Sequence, residues 1–315
     1  MAEVTMPVRT AGAARVGRAV AAGAGRVDRV ARAPIRVSSH AYPLLHKAAT
    51  GEVRGVFRHG LDVVRSDGRL LYLGGSDRAL SCVGLQLPPA VLRLVLAAVR
   101  SGDAVELGEG ALTFWGSAAS RPFRLDCTAA EAVDLRVGTP ISPSAVRALR
   151  LAIAACGLED VVGLAWDTRL QTALVRLTGS GSTLAEAVRW LYGRGAGLTP
   201  TGDDILCGYG TGLLACGDYA AHGRLVEALR GVGRTRRTTY VSEAYLAAMA
   251  AGYANETYVH LLETARAGAV GGPAGAEALA AVRRLGHTSG NDTLLGFSLA
   301  LGVGYRGVPA RCPCT

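Results

Sequence analysis

One eight-residue string occurs twice in this chain. Thr201-Gly202-Asp203-Asp204-Ile205-Leu206-Cys207-Gly208 aligns without gaps on Ser289-Gly290-Asn291-Asp292-Thr293-Leu294-Leu295-Gly296. Each copy opens an apolar run with a second small residue four places on, Gly212 and Ala300. Residues at that spacing share one helix face, and small ones let two backbones approach closely. The repeat predicts two alike helices side by side, their N-termini at one cleft, presenting hydroxyls and carboxylates together.

A plainer reading competes with this. Ser or Thr followed three residues later by Asp or Glu, just before an apolar run, is a capping box, in which hydroxyl and carboxylate each take an orphan amide of the first turn. Thr183 and Glu186 have the same spacing with no sign of function. Capping requires neither Gly202, Gly290 nor Asp203, nor the run Gly193-Arg194-Gly195-Ala196-Gly197-Leu198-Thr199-Pro200 before the first copy. Alternate glycines let backbone amides approach an anion, and a helix N-terminus adds a favourable dipole. Arg236-Arg237-Thr238-Thr239 and Ser242 offer a forked cation with hydroxyls for a carboxylate or phosphate, or else form a solvated basic turn. His287, next to the second copy, is a candidate acid or base, or a structural residue. His222 and His260 have no motif around them.

Composition narrows the function classes. The 34 basic residues give a net charge of +9, yet Lys47 is the one lysine. It stands in His46-Lys47-Ala48, so no Walker A loop exists, and a Schiff-base mechanism would have to fall on it. Arg9, Arg15, Arg18, Arg26, Arg29, Arg32 and Arg36 gather near the N-terminus against Glu3 and Asp28, and no aromatic residues interleave the basic ones as base stacking would need. The reading is therefore no nucleic acid. The seven cysteines form no C-x-x-C pair and read as small core side chains in a reducing cytoplasm, with Cys312-Pro313-Cys314 in a frayed tail. Apolar runs are short and broken by glycine, which predicts no membrane span.

The pattern along the chain predicts an α+β protein in three parts. Residues 1–38 read as an Arg-, Ala- and Gly-rich flexible tail without a secretory apolar stretch. Residues 39–138 read as a β-rich barrel or sandwich-like domain. Its strand candidates are 53–58, 61–65, 69–73, 80–87, 104–107, 111–115 and 123–127, with one helix over 88–100. Residues 139–315 read as an all-helical domain, with helices over 144–156 and 166–177, from Thr183 to Gly193, and from near Asp203, Val241 and Asp292.

Taken together, Gly193-x-Gly195-x-Gly197-Leu198-Thr199-Pro200-Thr201-Gly202-Asp203-Asp204, the Arg237-Thr238-Thr239 segment with Ser242, and Gly286-His287-Thr288-Ser289-Gly290-x-Asp292 resemble the AllH-like family over about residues 40–305. Its named members are subunits of bacterial oxamate carbamoyltransferase in allantoin catabolism. The resemblance implies transfer of a carbamoyl group between carbamoyl phosphate and a small amide or amine such as oxamate. It also implies a complex of partner subunits or a homo-oligomer, in which this chain is active alone or only in company. Where the family often has an aromatic residue, this chain has Asn291, which implies a different acceptor.

Such chemistry needs donors for the phosphate, stabilisation of an oxyanion, and a base for the acceptor proton. Asp203, Asp204, Asp292 and His287 are the candidate catalytic residues. Gly195, Gly197, Thr199, Thr201, Gly202, Arg237, Thr238, Thr239, Ser242, Ser289, Gly290 and Asn291 are the candidates for holding a small anionic substrate. No cofactor is expected. The alternatives are a hydrolase in which Asp203 and Asp204 hold Mg²⁺ with Asp292 nearby, and a non-catalytic subunit.

Overall fold

The computed structural model describes residues 29–31, 34–116, 122–235 and 237–310, the first of these for their backbone. The chain divides between Asp134 and Leu135 into two compact units, one built on a sheet and one built of helices.

The first unit is a single curled, half-closed sheet. Its strands are β1 (Arg29–Ala31), β2 (Arg36–Ser38), β3 (Ala49–Phe57), β4 (Gly60–Arg65), β5 (Leu70–Gly75), β6 (Gly84–Leu87), β7 (Ala104–Gly108), β8 (Ala111–Trp115), β9 (Phe123–Asp126) and β10 (Glu131–Val133). They lie in the order β1-β9-β8-β7-β3-β4-β5-β6-β2-β10, so β1 and β10 are edges and the barrel does not close. Most neighbours are antiparallel, but β1 with β9, β5 with β6 and β2 with β10 run parallel. The expected hairpin joins β4 to β5 through Ser66-Asp67-Gly68, with Gly68 at φ +83° and the Asp67 carboxylate accepting from the Arg69 amide. The strand expected over 80–87 shortens to β6, because residues 76–83 carry the chain back for the parallel pairing. Helix α1 (Tyr42–His46) and helix α2 (Pro89–Ala98) add Leu45, Leu92 and Val95 to a core of Val53, Leu61, Val63, Leu73, Leu107 and Phe114.

The tail expected through residue 38 is corrected at its end. Ile35 and Val37 are buried and alternate with Arg36, which donates to the side chain of Gln86, so the segment is a half-buried strand. The remaining residues of that segment, apart from the β1 backbone and Pro34, lie outside the described residues, as do Arg236 and Cys312-Pro313-Cys314.

The second unit holds α3 (Pro143–Ala154), α4 (Thr168–Leu177), α5 (Gly181–Leu191), α6 (Thr201–Cys216), α7 (Tyr219–Gly233), α8 (Tyr240–Ala250), α9 (Glu256–Arg266), α10 (Pro273–Arg283) and α11 (Ser289–Ala300). Side chains cap several of them: Ser142 accepts from Ala145 N, Asp167 from Leu170 N, Asp218 from Ala221 N and Thr239 from Ser242 N. The Thr183–Glu186 capping box does not form. Helix α5 starts two residues earlier, the Thr183 hydroxyl donates to the Ser180 carbonyl, and Glu186 pairs with Arg176 on α4. Among the described residues no helix is long and apolar enough to cross a membrane.

Candidate functional site

Helices α6 and α11 are buried nearly all round and form the most extensive helix pair of their unit. They run parallel. Thr201 meets Asp292 at one end, and Gly212 meets Phe297 and Ala300 toward the other. The contact is backbone on backbone: a β-carbon on Gly208 would overlap the Thr293 carbonyl, and one on Gly296 would overlap the Ile205 carbonyl. Each partner is the other's counterpart in the aligned repeat, so the two copies pack as near-equivalents. Gly202 and Gly290 are explained the same way. A β-carbon there would strike the last turn of the preceding helix, at Leu191 of α5 and at Val282 and Arg283 of α10.

Thr201, Ser289 and Asp292 bond across to the other copy or the loop before it rather than capping their own helices. Pro200, not Thr201, is the N-cap of α6, and neither Pro200 nor Thr288 of α11 makes a side-chain cap bond. Thr201 Oγ1 donates to Asp292 Oδ2 (3.0 Å), whose Oδ1 accepts from the Gly163 amide (2.8 Å). The Thr199 and Ser289 hydroxyls hydrogen-bond each other at 2.8 Å. Asp203 Oδ1 accepts from the Gly193 amide (2.8 Å) and Oδ2 from the Thr238 hydroxyl. Ser242 is buried beside this carboxylate and favours its ionised form, although its hydroxyl makes no hydrogen bond of normal geometry.

Asp204 differs from the other two. Its Oδ2 is buried and has no hydrogen-bond partner. Burial pushes its carboxyl up to about 8; the hydroxyls of Ser289 and Thr199 oppose the shift, and Asp292 and Asp203 add to it. Burial also raises Asp203 and Asp292, against the donors that hold them. Tyr258 on α9 lies in the field of Asp204, packs its ring on Phe297 at 5.6 Å, and keeps a buried hydroxyl without a partner.

Above this layer lies the glycine loop. Gly193, Gly195 and Gly197 all adopt left-handed backbone, at φ +69°, +122° and +88°, and a β-carbon on Gly195 would press on the Thr201 amide at 2.6 Å. The Gly193 amide is spent on Asp203. Residues 195–198 are exposed, and among the described residues no backbone bond is made by the amides from Gly195 to Thr199. Thr239 ties the loop by donating to the Leu198 carbonyl while it caps α8. Arg237 is exposed beside the loop, its carbonyl facing Gly193.

Two predicted residues stand outside this network. His287 is exposed with no hydrogen bond in the described structure, and Asn291 Oδ1 accepts from Arg283 Nε (3.0 Å). Of the two carboxylates considered for magnesium, Asp203 accepts protein hydrogen bonds on both oxygens, while Asp204 keeps one oxygen without a partner. No group of three or more His, Cys, Asp or Glu side chains placed to hold a metal occurs among the described residues.

Gly163 and Tyr258 stand beside these carboxylates and lie in no motif, and Thr288, inside the second motif block but not singled out there, favours the ionised form of Asp292 through its hydroxyl. Gly163 is packed so close to Thr201, Thr288 and Asp292 that no side chain fits.

Fold and site define an α+β protein whose helical unit gathers buried carboxylates under an exposed glycine loop at two parallel helix N-termini. Residues 191–301 match the model of the family described as oxamate carbamoyltransferase subunit AllH. The resemblance drawn from the motifs therefore holds over the stretch that carries both copies. No solved structure matches the chain.

Proposed function

We propose that the loop and the paired helix N-termini bind the small anionic substrates of a carbamoyl transfer, with carbamoyl phosphate as donor and an oxamate-like amide as acceptor, in a chain that works as a subunit of a larger enzyme. The coarse part rests on the matched family, which is described as a carbamoyltransferase subunit. The finer part rests on one observation: amides from Gly195 to Thr199, on a loop exposed over residues 195–198, make no backbone bond among the described residues and stand near two helix N-termini.

In this reading the acceptor nitrogen bonds to the carbamoyl carbon, and the bond from that carbon to the phosphate oxygen breaks. Phosphate leaves with the electron pair, held by loop amides and the Arg237 fork. The nitrogen's proton passes to the Thr199–Ser289 hydroxyl pair and on to Asp204 in its ionised form, a form that a carboxyl at about 8 takes up increasingly as pH rises past neutral. Asp203 and Asp292 position the loop and the second helix. No step is assigned to a metal.

Purified chain, alone and with its partner subunits, should form oxalurate from oxamate and carbamoyl phosphate in the presence of chelator. Arg237→Lys keeps the charge and loses the fork, so phosphate affinity should fall at least tenfold, about 1.4 kcal/mol, with Tm unchanged. Equal affinity in calorimetric titration removes Arg237 from the site, and turnover that requires added Mg²⁺ defeats the metal-free reading.

A further inference from the structure

A second cleft, of about 450 Å³, opens between α7 and α8, and its size is that of a small-molecule pocket. Val226 and Leu229 of α7 and Leu246 of α8 are buried and form its floor, and three alanines of the α8 segment carry the apolar wall outward. Three polar groups interrupt this surface. Arg230 of α7 and Glu243 of α8 are exposed at the rim, and among the described residues neither side chain makes a hydrogen bond or an ion pair, with the other or elsewhere. Tyr192, directly after α5, is only 5% exposed, yet it lines the cleft and its hydroxyl has no hydrogen-bond partner among the described residues. Burial, with the Glu243 carboxylate next, holds this phenol above its ordinary pKa, so it stays a donor at neutral pH. Water can meet the hydroxyl in the open cleft, and a ligand that covers the apolar floor must supply a partner in its place.

We infer that this cleft is a second binding site, for a small zwitterion with an apolar side chain, that is, an apolar α-amino acid. The Arg230 fork takes the carboxylate, the Tyr192 hydroxyl donates to the same group, Glu243 takes the ammonium, and the side chain lies on Val226, Leu229 and Leu246. The two rim charges decide the class. An anion with no cationic group meets Glu243 uncompensated, and an amine with no anionic group meets Arg230 in the same way, so only a molecule carrying both signs answers both ends.

The inference stands whether or not the loop transfers carbamoyl groups, and calorimetric titration of the full chain with the free amino acid leucine tests it. Leucine should bind saturably, and 4-methylpentanoate, which lacks the ammonium, and isopentylamine, which lacks the carboxylate, should each bind at least about tenfold more weakly. Arg230→Gln and Glu243→Gln, both at exposed positions, should each weaken leucine by about tenfold and Tyr192→Phe by about threefold, all with an unchanged Tm, while Asp204→Asn leaves leucine affinity as it was. Four results overturn the inference: no saturable binding at millimolar leucine, either analogue binding as tightly as leucine, unchanged affinity in both charge variants, or loss of leucine binding in Asp204→Asn.

Discussion

Asp292 at the head of α11 accepts hydrogen bonds on both oxygens, whereas Asp204, at the same place in α6, keeps one buried oxygen without a partner. The third positions differ too. Asp203 clamps the glycine loop and Thr238, while Asn291 holds Arg283 of the neighbouring helix. Two copies of one string thus share a packing plan and divide the work. The second closes the structure, and the first keeps a proton site available beneath the loop.

The largest test is of the shared plan. Gly208→Ala and Gly296→Ala each drive a methyl into a carbonyl of the other helix and should each cost roughly 3 kcal/mol or more in urea denaturation. Gly223→Ala on α7, an exposed position with nothing near its added carbon, should stabilise by about 0.5–1 kcal/mol. Unequal losses at 208 and 296 would break the equivalence of the copies.

The fourth positions should separate next. Asp292→Ala strands the Gly163 amide and the Thr201 hydroxyl and should cost about 2–4 kcal/mol. Asp204→Asn should instead abolish turnover without lowering Tm. The sign follows from linkage. A carboxyl at about 8 in the folded state and 3.8 as its ordinary value leaves the folded state holding the extra proton, so its contribution falls away as pH rises from about 4 to about 8. Asp204→Asn should therefore gain on the wild type across that window, most at pH 8 and above. A variant that loses Tm equally at every pH would make Asp204 a structural acceptor like Asp292. The smallest effect is at the third position of the second copy, where Asn291→Ala should cost about 1 kcal/mol or less, since one half-buried bond is lost.

What the sequence made legible was the pairing. Eight aligned residues with small ones in register required a close helix contact, and strand alternation placed most of the sheet. The capping box misled because its spacing ignores which residue is the cap. Pro200, with its fixed φ, sits at the N-cap, so Thr201 falls inside the first turn and its hydroxyl turns to the neighbouring helix. Residues 35–37 were lost in the arginine-rich composition around them, although Ile35 and Val37 alternate as a buried strand requires. Nothing local marks Gly163, which matters through a carboxylate more than a hundred residues away. The exchange of partners between two motifs is a property of three-dimensional packing that neither motif contains.

Asp292 also carries a consequence for how the protein comes into being. It lies on α11, and the groups it satisfies, Gly163 and Thr201, are both made long before it. A ribosome that has finished α10 holds a chain whose first motif, glycine loop and Gly163 segment are complete, yet the acceptor they converge on has not been synthesised. The site therefore cannot mature as its parts emerge. It waits for α11, and any chain released before that helix is made carries the recognisable first motif without the carboxylate that joins Thr201 to the Gly163 segment.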